Sequence, residues 1–406
     1  MNSSLRIIGL VIARDEWPLL RLSITHALLN HVDHVWVLDH SSGDGTRDGL
    51  ERLTEIWGER LRVVRLCGTP FWQEASTSLI LELIGATRDD WIYVFDADEF
   101  AITRSGTSIR EILGSVGPDF SSVRYEVDNW ISTATFDECD HSQYSQLRLR
   151  AIANHFFDLP SDILSDEIQR GTLNFFDVPF PSKVIVRGGG PTWLSAGAHL
   201  LKQPVAGEEF RLCPRDFRVA HFPLLSEQRL HKKAAHGELL VKQGFPTWHG
   251  WQNQMLFRLS STGQLSNFWK RHSVGAPEAD AYGTTPSIAD DSSFVEAIAP
   301  TLAFLAGTAS DEAEAHHLLG QESGDTLVSA SAAIGAIRSV QMVADAIAAE
   351  QDRQVANSSL RVDELERENS VLRQALEESE KRCRAMQSST SWLLTRPVRA
   401  IGQLLK

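Results

Sequence analysis

The chain has 406 residues, 42% of them hydrophobic, and a formal net charge of -14 from 53 acidic and 39 basic side chains. That much apolar sequence excludes wholesale disorder, and the length exceeds one ordinary core, so a main domain of roughly 250–280 residues with appendages is expected. The acidic balance excludes non-specific gripping of nucleic acid. The four scattered cysteines, Cys67, Cys139, Cys213 and Cys383, exclude a disulfide framework and a Cys-x-x-Cys zinc site.

The first hundred residues alternate between two periodicities. Continuous apolar runs at 7–12, 34–39, 61–66 and 91–95 have the composition of buried strands. Between them, 17–30, 46–58 and 73–86 carry helical stripes, with Leu20, Ile24, Ala27 and Leu28 on one face of the first. Strands alternating with helices predict right-handed βαβ units in an α/β fold, a mainly parallel sheet with helices on both faces. Beyond residue 120 the pattern loosens: 123–127, 183–187 and 218–221 read as strands, 226–242 as a helix capped by Ser226, and 188–191 as a turn. The weakly patterned stretch 141–180 has the character of an acceptor-facing insertion.

Composition changes near Gly275, which sets the expected main domain at 1–275. Residues 276–350 read as linker and Ala-rich helix, with one helix at 294–305 and another at 326–350. In 351–387 a heptad register places Val355, Val362, Asn369, Leu376 and Cys383 at a, and Leu365, Leu372 and Met386 at d, with Ser358 and Ser379 in the remaining d slots. A coiled coil follows from that spacing, and Asn369 at an a position favours a parallel homodimer. The final segment, 388–406, sets Trp392, Leu393 and Leu394 beside Arg396, Arg399 and Lys406, a composition suited to peripheral contact with an anionic membrane. No apolar run reaches the ~20 residues needed to span a bilayer and no signal peptide precedes the first strand, so a cytoplasmic chain is expected.

Two loops carry chemistry. Asp96-Ala97-Asp98-Glu99-Phe100 begins where the fourth buried strand ends, the position at which open α/β sheets bind ligands. Two carboxylates at i and i+2 leaving a strand can converge on one divalent cation, for which oxygen ligands suit Mn2+ or Mg2+. Asp39-His40-Ser41-Ser42-Gly43-Asp44-Gly45-Thr46 leaves the second strand, with glycines for a tight turn and side chains able to approach a nucleotide.

These residues, with Ala13-Arg14-Asp15-Glu16, Gln73 and Asp90-Trp91-Ile92, resemble glycosyltransferase family 2, and more narrowly its bacterial branch whose metal motif reads Asp-Ala-Asp-Glu-Phe. The resemblance spans about residues 5–240 and is carried mainly by the part up to Phe100. It implies a GT-A fold, a nucleotide-diphosphate sugar donor, a divalent cation, inverting transfer, and a glycan or lipid-linked acceptor in surface polysaccharide synthesis. Within it, Asp39 contacts the base, Arg14 and Asp44 line the donor pocket, Asp96 faces ribose or metal, and Asp98 ligates the metal. Glu16, Ser42, Gln73 and Lys183 complete the donor-binding set. His40 departs from the acidic or amide residue common there, and Asp15 from the usual Asn.

The later motifs, Lys183-Val184-Ile185-Val186-Arg187, Gly197-Ala198-His199 and His221-Phe222-Pro223 with Arg229 and Lys232, are similar in order to that branch. A late histidine can complete the metal shell, and His221, which ends a strand-like run, is preferred to His199. Arg229 and Lys232 are placed to neutralise a leaving diphosphate. An inverting transfer also needs a base, for which Asp128, Asp137 and Glu138 are alternatives. Two other readings compete: a nucleotidyltransferase, which would carry a Gly-rich basic loop where Ala13-Arg14-Asp15-Glu16 stands, and a non-catalytic coiled-coil scaffold on a degenerate transferase domain.

Overall fold

The computed structural model describes residues 5–66, 73–104, 106–153, 160–189, 194–201, 208–247, 249–275, 286–315 and 326–327. The chain divides into two units, Met1–Ala336 and Ile337–Lys406, and all of the second lies outside these residues. The heptad segment 351–387 and the basic tail 388–406 therefore lie outside them too.

The first unit is an α/β fold on a mixed sheet. β1 (Arg6–Ala13), β2 (His34–Asp39), β3 (Leu61–Arg65) and β4 (Asp90–Val94) run parallel in the order β3-β2-β1-β4. Their near-continuous apolar composition follows from burial on both faces. One face packs α1 (Leu19–Asn30) and α2 (Thr46–Trp57) through Leu20, Ile24, Leu50 and Leu53; the other packs α3 (Gln73–Ile84) through Ile80 and Leu81.

Past β4 the sheet turns mixed. β5 (Glu99–Thr103) follows at once, then α4 (Ile109–Gly114), and β6 (Phe120–Ile131) is a 12-residue strand along which several later strands pair. β7 (Leu149–Ile152) and β8 (Lys183–Arg187) pair antiparallel to β6, and β8 also joins β4. β9 (Glu208–Arg211) and β10 (Phe217–His221) run parallel to β6, and β10 pairs antiparallel to β5. The weakly patterned 141–180 stretch thus contains β7 and α5 (Ser161–Arg170).

A second core forms where α5, α6 (Glu227–Lys242), α7 (Trp251–Ser261) and α8 (Leu265–His272) meet around Ile168, Leu230, Met255 and Phe268. α6 and α7 lie backbone to backbone at Gly237, where an added Cβ would stand 1.9 Å from the Asn253 carbonyl oxygen. Residues after 275 return to this body: β11 (Ser287–Asp290) pairs with β7, and α9 (Ser293–Ala315) buries Phe294, Ile298 and Leu305 against α1 and β5. Thr326 and Leu327, the first two residues of the helix expected at 326–350, instead pair in parallel with β3 at the sheet edge, and 328–350 lie outside the described residues. No helix among the described residues is long and apolar enough to cross a membrane.

Candidate active site

The carboxyl ends of β1, β2, β4 and β10 gather the chemistry-bearing side chains, and α6 lies across them. At β1 and β2 two loops are stitched together. Asp15, at φ 57°, accepts from Gly43 N at 2.6 Å through Oδ1, while its own N–H donates to Ser42 Oγ at 3.0 Å. Asp39, buried at the end of β2, accepts from Ser42 N at 3.1 Å. Asp44 Oδ1 accepts from the Thr46 amide and hydroxyl, at 3.1 and 2.5 Å, at the start of α2. Its other oxygen lies 3.3 Å from Lys232 Nζ. Arg14 stays half-buried beside Asp15, at 3.8 Å.

Asp96 to Glu99 form a turn closed at both ends, by Glu99 N on Asp96 O at 3.0 Å and Asp96 N on Glu99 Oε2 at 3.1 Å. Lys183, on β8 and wholly buried, lies 2.8 Å from Asp96 Oδ2 and 2.6 Å from Glu99 Oε1. Gln73 Nε2 reaches Asp96 Oδ1 at 3.4 Å. Burial pushes the Glu99 carboxyl up to about 7, against the pull of Lys183. Burial also opposes the charge on Lys183, but Asp96 and Glu99 outweigh it and raise its pKa.

Asp98 is buried and faces α6. Its Oδ2 accepts from Lys233 Nζ at 2.8 Å and lies 3.6 Å from Arg229. Burial alone would raise its pKa; the Lys233 ammonium and Arg229 guanidinium instead hold the carboxyl well below the usual range. Arg229 is a buried hub, 2.5 Å from Glu16 Oε2 and 3.8 Å from Glu138 Oε2. Burial pushes Glu16 up, against the attraction of Arg229. Lys232 links Asp44 to Glu138, the latter at 3.9 Å.

His221, at the end of β10, points its Nε2 at Asp98 Oδ1 across 3.9 Å, and its Nδ1 is 2.8 Å from Asn129 Oδ1. Burial drops its pKa to about 3, so the ring is neutral at pH 7. Phe180 covers it, ring centroids 4.1 Å apart. His199 lies on Phe180 as well, at 5.5 Å, but its Nδ1 donates to Ser182 O and no contact joins it to Asp98 among the described residues.

Among the described residues no three His, Cys, Asp or Glu side chains converge tightly enough to enclose a metal ion. Two donors nevertheless suit one: a buried carboxylate oxygen and a neutral imidazole nitrogen facing each other. Asp96, a third exposed, contacts Lys183 and Gln73. Around these groups the carboxyl groups of Glu16, Asp44, Asp96, Asp98, Glu99 and Glu138 meet the cations of Lys183, Arg229, Lys232 and Lys233, so acidic groups outnumber basic ones.

Of the three candidate bases, only Glu138 joins this network. β6 sends Asp128 and Asn129 to opposite faces, because side chains alternate along a strand. Asp128 therefore meets Arg218 at 3.1 Å and Arg150 at 3.9 Å, which also hold Asp291. Asp137 is exposed and accepts from Cys139 N in a local turn. Lys233 and Asn129 did not stand out in the sequence. For Lys233 a signal existed: Arg229, Lys232, Lys233 and His236 recur at helical spacing and form a basic stripe on one face of α6. Asn129 has no signal outside the folded sheet.

No family model matches the chain, and no curated protein matches it in sequence. Among solved structures it is similar to S. aureus TarS, at TM-score 0.32 and 11% identity over 68% of this chain and 44% of that one. It is also similar to TarS 1–349 (0.31, 11%, 68% and 83%) and to TarS 1–349 in complex with UDP (0.31, 11%, 63% and 72%). The chain thus spans under half the length of the first of these.

Proposed function

We propose that this chain is a metal-assisted glycosyltransferase of the GT-A type, moving a sugar from a nucleotide diphosphate to a glycan or lipid-linked hydroxyl. The observation that carries the reading is the buried Asp98 carboxylate facing the neutral His221 ring at strand ends, beneath the cationic stripe of α6. The stitched loops of Asp15, Asp39, Ser42 and Asp44 supply a polar rim for a nucleotide beside it.

Asp98 and His221 would hold the divalent cation, which when bound supplies positive charge to the donor diphosphate. Lys232 and Lys233 stabilise the negative charge that develops as the bond between the sugar's anomeric carbon and the phosphate oxygen breaks. The electron pair of that bond leaves with the nucleoside diphosphate. The acceptor oxygen forms the new bond to the anomeric carbon, and Glu138 takes the acceptor's proton. Arg229 keeps Glu16, Asp98 and Glu138 in register. The heptads of 351–387 are read as a homodimer seam and the basic tail of 388–406 as a peripheral membrane contact.

Calorimetric titration of UDP, GDP and dTDP, each with and without Mn2+, tests this. The expected result is metal-dependent binding of one nucleotide, lost in Asp98→Ala. If none binds, the scaffold reading takes its place.

A further inference from the structure

We propose that Asn129 is the positioning residue of this centre: its side-chain carbonyl takes the Nδ1 proton of His221 and so turns the Nε2 lone pair onto Asp98. The inference rests on the metal reading above and adds a residue to it. β6 and β10 pair in parallel with Asn129 opposite His221, so the two side chains stand side by side on one face of the sheet. Both are buried, at 7% and 4% exposure, and 2.8 Å apart. An amide oxygen only accepts, so the ring nitrogen bonded to it, Nδ1, is the one that must carry a proton.

The opposite end of the ring bears this out chemically. A proton on Nε2 would draw Asp98 Oδ1 to hydrogen-bond distance, about 2.7–3.2 Å. The gap is 3.9 Å, longer than a hydrogen bond, so Nε2 makes none to Asp98 and is left open to a shared cation. Phe180 over the ring blocks reorientation on one side. Metal-binding histidines depend on such outer partners, whose loss lowers metal affinity about 10–100-fold.

Two readouts on the full chain test this. With 15N-histidine labelling, long-range 15N–1H correlation should show the His221 signal, identified by its loss in His221→Ala, with a protonated Nδ1 and a bare Nε2. Mn2+ titration followed by the electron-spin signal of the free ion should show Asn129→Leu weakened about 10–100-fold, while Asn129→Asp, which keeps an acceptor, binds like the unsubstituted chain. A proton on Nε2, or an undiminished Mn2+ affinity in Asn129→Leu, overturns the role of Asn129. The tautomer is read without any substitution at 129, so that answer stands even if a variant misfolds. Mn2+ binding that ignores both His221→Ala and Asp98→Ala, or no binding at all, overturns the metal centre itself.

Discussion

Lys183 and Glu99 form an ion pair from which water is excluded on both sides, with Nζ 2.6 Å from Oε1 and neither side chain exposed. Lys183 comes from β8 and Glu99 from the first position of β5, and the same ammonium reaches Asp96 at 2.8 Å. One cation thus fixes the turn that presents Asp98. Glu99 is paired in register with His221 across β5 and β10, so the pair also anchors the strand end that carries the imidazole.

Removing one partner of such a pair strands the other in a medium that solvates charge poorly. Lys183→Met is expected to destabilise the fold by about 3–5 kcal/mol, read as a lower urea midpoint at pH 7. Adding Glu99→Gln should recover a large part of the loss, since the buried Glu99 then no longer has to hold a charge or take up a proton without its partner. A double variant no more stable than the single one would show that packing, rather than charge, holds this turn.

The protein should also lose stability in acid through buried imidazoles remote from the site. His272 sits against Phe268, ring centroids 4.1 Å apart, and its Nε2 is buried without a hydrogen-bond partner. Burial lowers its pKa to about 3, and that of His26 to about 4. Between those values and an unfolded value near 6.5, the unfolded chain takes up protons that the native one refuses. Their contribution is therefore complete above about pH 6.5 and declines as pH falls toward the native values. His272→Leu should flatten the fall in the denaturation midpoint between pH 7 and pH 5; an unchanged slope would place the acid sensitivity elsewhere.

The contact between α6 and α7 links stability to the site, because α6 carries Arg229, Lys232 and Lys233. A Cβ at position 237 would stand 1.9 Å from Asn253 O, a backbone atom that cannot swing aside. Gly237→Ala should cost at least the roughly 1–3 kcal/mol typical of overpacking. It should also weaken nucleotide binding, since α6 must shift to relieve the clash. Normal nucleotide affinity alongside a large loss of stability would mean the cationic stripe tolerates that movement.

The parallel half of the sheet was legible because buried parallel strands leave continuous apolar runs and their crossover helices leave stripes. β5, β7, β9 and β11 were not: each is 4 or 5 residues long, and β9 is exposed along its whole length, so no hydrophobic pattern marks it. The Asp96 and Asp98 motif could be read as a pair, but not the different partners its two carboxylates meet. Those depend on Lys183 arriving from 87 positions away to reach Asp96, and on Lys233 and His221 meeting Asp98. α7 and α8 lie inside the expected main domain, where they complete a second core with α5, α6 and the ends of β6 and β7.

The choice of base separates two residues ten positions apart. Asp128 and Glu138 are both carboxylates following the metal motif, yet Asp128 lies on the far face of β6, shared between Arg218 and Arg150. Glu138 is 2% exposed, between Arg229 and Lys232, and Lys232 also reaches the Asp44 loop on the donor side. Asp128→Asn should thus leave turnover close to normal, because Arg218 and Arg150 still hold Asp291. Glu138→Gln keeps the side chain's shape and removes its basicity, and should lower kcat by about 10²–10⁴-fold. Affinity for the nucleotide should change little, as calorimetry on both variants can establish. Were the two effects reversed, proton transfer would run on the Arg218 side of β6, and the acceptor would have to approach from there.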